Sequence, residues 1–369
     1  MNIHSKKIPK LLAVNFSILA IQNSKIINLL SRETRIILGI ETSCDDTSIA
    51  VLKGQKILAN CVSSQMVHRA FGGVVPELAS RSHIENITPI LAIALKKAKI
   101  TLQDVQAIAF TQGPGLLGSL MVGTSFAKGL ALALDIPLIA VHHMKAHIMA
   151  HFIQTEDSAV QPNFPFLCLT VSGGHTQIVK VNAVDDMEIV GKTLDDAAGE
   201  AFDKSAKMLG LPYPGGPLID QLAKKGNPDR FQFAKPNIED FDFSFSGVKT
   251  SILYKIQKEM KQDPLFLESN LNDLCASIQK GIVEILMDKL LKASQKLQIK
   301  TLAIAGGVSA NSELRKRLTS LKEQEYKVHI PKFEYCTDNA AMIAITGQYL
   351  FDQKQFVGQN IAAKAKIDF

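Results

Sequence analysis

No two of the five cysteines in this 369-residue chain (Cys44, Cys61, Cys168, Cys275 and Cys336) stand at CxxC spacing. A scattered, odd set argues against a disulfide framework and a cysteine zinc site, and suits a reducing compartment. Long apolar runs are wanting too: none reaches the ~18–20 residues of a membrane span, so the body reads as soluble. No linker rich in Pro, Gly or Ser divides the chain. Acid is almost missing from residues 1–35, where Lys6, Lys7, Lys10, Lys25, Arg32 and Arg35 face Glu33 alone. Most of the formal +6 therefore sits in that segment, and the body after it carries only about +1. Net charge is thus no argument for a nucleic-acid partner. The segment itself reads as an extension ahead of the first strand, with an organellar transit peptide as the alternative. A basic run from Lys289 to Lys332 reads as solvated helix faces.

What is present is ordinary globular material: 46% hydrophobic and 21% charged residues, enough for one large domain or two medium ones. Short β-rich runs alternate with helical stretches, which predicts an α/β architecture. Strands are expected at 35–41, 47–53, 56–63, 107–111, 138–141, 166–171, 176–181 and 301–305. Helices are expected at 76–99, 117–134, 144–152, 194–209, 246–259, 273–296 and 339–351. One internal echo stands out: LGIETSCDDTSIAVL (38–52) and CLTVSGGHTQIVKV (168–181) each read as strand, small polar turn, strand. Such a pair, well separated, fits two similar lobes that each offer a phosphate loop, although ordinary hairpins use the same turn chemistry.

His143 and His147, four apart on an expected helix, share one face and can reach one metal ion, and His151 continues the stripe. A zinc peptidase would carry glutamate directly after the first histidine; Met144 stands there and removes that reading. Asp338 falls where a helix should begin, as the third ligand or, more plainly, as that helix's N-cap, a role Thr337 could also fill. Two histidines and a carboxylate with open positions suit iron(II), or zinc or manganese. Three glycine-rich segments follow expected strands: GPGLLGSL from Gly113, VSGGH from Val171 and AGGVSAN from Ala305. Backbone N–H groups there could hold a phosphate, and the glycines allow a ligand or another backbone to come close. The acids of DDAAGEAFDK (Asp195, Asp196, Glu200, Asp203) need a cation, ligand hydroxyls or solvent beside them. Asp203 and Gly216 could contact a ribose or small ligand. His68 to His83 reads as polar groups around a helix start at Pro76.

In order along the chain, GIETSCDDT, GGVVPELASR, GPGLLGSL, HHMKAH, VSGGHTQ, DDAAGEAFDK, YPGGP, FSFSGVKT, AGGVSAN and CTDNAAMIA resemble the tRNA N6-adenosine threonylcarbamoyltransferase family. That family was formerly described as an O-sialoglycoprotein endopeptidase. The likeness runs from about residue 36 to the C-terminus. It implies a two-lobed fold of the actin, sugar-kinase and heat-shock ATPase type with an interlobe cleft. The lobes would be 36–139 with 340–369, and 140–339 carrying the metal and nucleotide motifs. It implies one divalent metal, Fe2+ before Zn2+ or Mn2+, on His143, His147 and Asp338. It implies adenylate contacts from Thr170, Val171, Ser172, Gly173, Gly174, Asp203, Gly216, Asp220 and Asn311. The implied substrates are L-threonylcarbamoyladenylate and tRNA, with accessory proteins of the same modification, in the cytoplasm (in mitochondria if 1–35 is a transit peptide). Lys145, where family members often carry Glu, and Thr170, where an aliphatic residue is common, depart from the pattern. A small-molecule kinase of the same superfamily and a non-catalytic scaffold subunit are the rivals; the kinase has no use for HMKAH, and the scaffold predicts a missing ligand.

Overall fold

The structure, a computed structural model, describes residues 32–154, 161–236 and 238–369. Most of the basic extension therefore lies outside the described residues. Its last residues do not: Arg32 and Arg35 both pair with Asp352, at 3.3 and 2.5 Å, and lie over the rings of Tyr349 and Phe351.

Ten strands form two five-stranded sheets. The first contains β1 (Ile36–Glu41), β2 (Thr47–Lys53), β3 (Lys56–Ser63), β4 (Ala107–Gly113) and β5 (Leu138–His142), in the order β3-β2-β1-β4-β5. The second contains β6 (Phe166–Val171), β7 (Thr176–Val181), β8 (Met187–Lys192), β9 (Thr301–Ala305) and β10 (Lys327–His329), in the order β10-β9-β6-β7-β8. In each sheet the first three strands form an antiparallel meander, and the last two join parallel on the other side of the leading strand. One topology has been laid down twice, which is the duplicated actin-like arrangement expected from the two hairpins.

Nine α-helices complete the described chain: α1 (Pro76–Ala98), α2 (Leu117–Leu134), α3 (His143–Met149), α4 (Ala198–Met208), α5 (Gly215–Ala223), α6 (Ser246–Met260), α7 (Phe266–Leu297), α8 (Ser312–Ser320) and α9 (Ala340–Asp352). The leading strands are apolar on both faces because both faces are covered. Leu38 and Ile40 of β1 pack with Ile87 and Leu91 of α1 and Ala127 of α2. Ile37 points the other way, into a core it shares with Phe166 and Cys168 of β6, Ile148 of α3 and Ile343 of α9. The outer face of the second sheet, with Leu167 and Leu169, packs under α4 to α8. The helix pair α3–α9 thus lies in one apolar layer reached by both sheets.

Several expectations need correction. Strands β8 and β10 and helix α5 were not foreseen: the strands are short or half-polar, and the Gly-Gly-Pro opening of α5 reads as a turn. The helix expected from residue 194 begins at Ala198. Asp195 is instead occupied ahead of it, accepting bonds from Ser244 Oγ, Phe245 N–H and Ser246 Oγ. The helix expected from 273 begins at Phe266. By length and composition α2 could cross a membrane, against the reading that no run is long enough. It is instead half-buried here, with Ala127 and Ala131 in the core beside Leu38 and Ile40 of β1. The basic run from Lys289 is mostly exposed, as expected, with half-buried exceptions: Lys289 Nζ donates to the carbonyls of Ile238 and Asp240, at 2.6 and 2.9 Å, and Arg317 pairs with Glu313.

Candidate metal and substrate site

Strand β5 delivers the chain into α3 with His142 as N-cap, its Nδ1 accepting from Lys145 N–H at 3.4 Å. The next two turn-related residues, His143 and His147, are buried and set their rings edge to face, 4.7 Å between centroids. Asp338 reaches them from the segment before α9. Its Oδ1 lies 3.1 Å from His147 Nε2 and 3.4 Å from His143 Nε2. The N-cap of α9 is Asn339, whose side chain accepts from Met342 N–H at 3.1 Å. The plainer reading of Asp338 as the cap is therefore wrong, and its carboxylate is free to face the imidazoles.

These three ligand atoms lie within 4.8 Å of one another. Ligands roughly 2.1 Å from a common ion, at angles between octahedral and tetrahedral, sit roughly 3.0–3.4 Å apart, which the two separations from Asp338 match. Electrostatics agree. Burial disfavours charge on His143, yet the carboxylates of Asp338 and Glu41 outweigh it and lift the imidazole to about 10. Burial would raise Asp338, but the two imidazoles override it and hold the carboxyl far below its usual range. The site is built to surround positive charge.

His151 does not join it. Helix α3 ends at Met149, the chain tightens into a 3-10 turn over Ala150–Phe152, and His151 Nε2 donates to the Ile304 carbonyl at 2.9 Å. Lys145 Nζ is 5.2 Å from the centre of the C-terminal Phe369 ring.

The segments expected to hold the adenylate each have partners within the chain. Thr170 and Val171 are buried within β6, so the part of the hairpin that reaches solvent is Ser172–Gly174. Added Cβ atoms on Gly173 and Gly174 would meet nothing within 4 Å, whereas one on Gly199 would strike the Ser172 carbonyl at 2.5 Å. The turn is thus open above and held below by α4. Asp203 Oδ1 accepts from Gly215 and Gly216 N–H, at 2.8 and 3.2 Å, across the start of α5. Asp220 accepts from Ser312 Oγ at 2.6 Å, and Asn311 caps α8 while donating to Gln279 at 2.8 Å. The polar residues read from sequence as ligand contacts therefore also bind the chain itself: Asp203 holds the N-terminus of α5, and Asp220, within α5, holds that of α8.

The chain is similar along almost its whole length to proteins of one kind. The family model for TsaD, tRNA N6-adenosine threonylcarbamoyltransferase, matches residues 56–345. A protein of that name from Christiangramia forsetii is 58% identical over 90% of this chain and 98% of its own length. Another from Riemerella anatipestifer is 56% identical over the same shares. The chain belongs to the tRNA N6-adenosine threonylcarbamoyltransferase family. Among solved structures, full-length HypF in its phosphate- and nucleotide-bound form covers 89% of this chain at a TM-score of 0.58, with 15% identity and 48% of that chain matched. HypF of T. kodakarensis covers 87% at 0.56, with 14% identity and 48% of that chain. These two share the fold.

For a member of the threonylcarbamoyltransferase family, the neighbours that sequence reasoning passed over are informative. Glu41, at the end of β1, is fully buried with Oε2 at 3.1 Å from His143 Nδ1. Burial pushes Asp46 up to about 7, and the carboxylates of Asp45, Asp338 and Glu41 add to it. Burial likewise lifts Tyr213 to about 12, aided by Asp45, Asp203 and Asp46. His175 is lowered by burial and then by His143 and His147. The first hairpin, the second hairpin, the α4–α5 corner and the histidine pair therefore feel one another's charge. The signal for Glu41 was an acid closing the apolar run IILGIE; a strand with buried faces has no reason to carry one.

Two glycines of GPGLLGSL make room for the chain's own backbone. A Cβ on Gly115 would strike the Ser43 carbonyl at 2.4 Å and one on Gly113 the Lys364 carbonyl at 1.9 Å.

Proposed function

We propose that the chain transfers the threonylcarbamoyl group of L-threonylcarbamoyladenylate to N6 of the adenosine 3′-adjacent to the anticodon, in tRNAs that read codons beginning with A. The observation that carries this reading is the meeting of His143, His147 and Asp338 at the corner of two hairpins, in a chain of this family. The exocyclic amine attacks the carbamoyl carbon, the C–O bond of the mixed anhydride breaks, AMP leaves with the electron pair, and N6 gives up one proton.

His143, His147 and Asp338 would hold one divalent metal, Fe2+ in first place with Zn2+ or Mn2+ as substitutes; when bound it supplies Lewis acidity towards the carbonyl oxygen. The turn Ser172–Gly174 would receive the departing phosphate on backbone N–H groups. Asp203, Gly216, Asp220 and Asn311 would line the adenosine side. Thr170 and Val171 would act through the backbone, since their side chains are buried. The lobes would be 36–139 with 340–369, and 140–339, with the substrate between them. Accessory proteins would make the adenylate, and the reaction would take place in the cytoplasm.

The test is incubation with metal, threonylcarbamoyladenylate and unmodified tRNA, followed by mass spectrometry of the nucleosides. Modified adenosine is expected from the native chain and is lost in His143→Ala/His147→Ala. Folded, metal-loaded protein that leaves adenosine unmodified in the presence of competent accessory proteins overturns the reading.

A further inference from the structure

Glu41 ends a strand whose other residues are apolar, and it carries a carboxylate with no exposure at all. Such a group is costly to bury unless its oxygens are answered. Every answer comes from nearby: Thr111 Oγ1 donates to Oε2 at 2.6 Å, Ser43 N–H donates to Oε1, and the ion pair it makes is with His143. The His143 ring stands between two carboxylates, with Nδ1 at 3.1 Å from Glu41 Oε2 and Nε2 at 3.4 Å from Asp338 Oδ1. The two ring nitrogens differ in what they can do. If Nδ1 donates its proton to Glu41, Nε2 keeps a lone pair aimed at the spot Asp338 and His147 also face.

We infer that Glu41 is the positioning residue of this centre, fixing the His143 tautomer that presents Nε2 and supplying the negative charge that balances a bound divalent cation. Two neutral imidazoles and Asp338 leave a divalent ion with one uncompensated positive charge, in a pocket where His143 and His147 are both buried. Glu41 cancels it from one hydrogen bond away without occupying a coordination position, which leaves the open positions to substrate. The support is one-sided: His147 Nδ1 is buried with no hydrogen-bond partner among the described residues, so Glu41 orients only the first histidine of the pair. Thr111, on β4, in turn holds the Glu41 carboxylate in place.

This inference rests on His143, His147 and Asp338 being the ligands, and the experiment separates the two ideas. Cobalt(II) is titrated into the full, metal-free chain and followed by visible absorption, with metal content measured after dialysis. Wild type, Glu41→Gln, Glu41→Asp and His147→Ala are compared, and each variant's melting temperature is recorded without metal. Glu41→Gln is expected to weaken cobalt binding roughly 10- to 100-fold in metal-free protein that still melts cooperatively. Glu41→Asp, which keeps the charge but draws it back, should fall between. Cobalt affinity within twofold of wild type in Glu41→Gln overturns the role of Glu41 if His147→Ala has lost binding. Equal binding by wild type and His147→Ala overturns the ligand assignment itself. Nitrogen-15 NMR of the zinc-loaded wild type, with the His143 signals assigned by difference against His143→Asn, reads the tautomer without depending on any variant at position 41. A metal-bound Nε2 with a protonated Nδ1 is expected, and a metal-bound Nδ1 overturns the proposal.

Discussion

At the scale of single residues, His147 and His151 show how position in a helix is overridden by where that helix stops. Both lie on the stripe that begins at His143, but α3 tightens at Ala150 and turns His151 towards the Ile304 carbonyl of β9. Burial lowers its imidazole from 6.5 to about 4. An unfolded chain takes that proton near 6.5 and the folded one only near 4, so this group's contribution is whole above pH 6.5 and is lost as pH falls towards 4. The loss amounts to about 3 kcal/mol at most. Urea melts between pH 7 and 4 should show it in the wild type, and His151→Gln should flatten the decline; an unchanged slope would remove this account. The histidine pair was legible because a spacing of four needs only one turn of helix. Glu41 was not, because nothing local says which neighbour a buried acid will meet.

At the scale of elements, the start of α9 decides what Asp338 can be. Thr337, Asp338 and Asn339 are all competent caps, and sequence alone ranks them together. The backbone gives the cap to Asn339, leaving Asp338 to turn to the imidazoles. Asn339→Ala should cost about 1 kcal/mol of stability and weaken metal retention, measured by thermal melts and metal analysis; retention at wild-type level would show that Asp338 needs no help from the cap. The contact of α4 with the Ser172–Gly174 turn makes the parallel case. A methyl on Gly199 overlaps the Ser172 carbonyl, so Gly199→Ala should cost about 1–3 kcal/mol and raise the KM for the adenylate while metal content holds. Steady-state kinetics beside metal analysis separates the two effects. Helix α5, which places Gly215 and Gly216 against Asp203, escaped notice because YPGGP reads as a turn, and the glycines and proline that suggest one also serve a helix's first turn.

At the scale of the whole molecule, the candidate centre joins α3 to the entry of α9, segments 191 residues apart along the chain. Any ligand that binds only the folded state stabilises it by mass action, about 2.7 kcal/mol at a hundredfold excess over Kd. Zinc or iron(II) should therefore raise the melting temperature and a chelator lower it, with the rise absent in Asp338→Asn. A metal-independent melting curve in the wild type would count against the centre. The shared apolar layer of α3 and α9 gives a reason for the coupling: the helix that carries two ligands and the helix that follows the third are packed in a core reached by both sheets.

Composition, the two strand–turn–strand echoes and the ordered motifs were enough to determine the α/β class, the duplicated topology, the family and the three metal-ligand candidates. These are local patterns, and hydrophobic periodicity and turn chemistry act over a few residues. Only the tertiary structure decided that Asp338 is not a cap, that His151 belongs to the packing of β9, and that Glu41 stands behind His143. Each of those outcomes depends on which distant backbone or charge closes on the residue when the sheets and helices pack, and no window of sequence contains that neighbour.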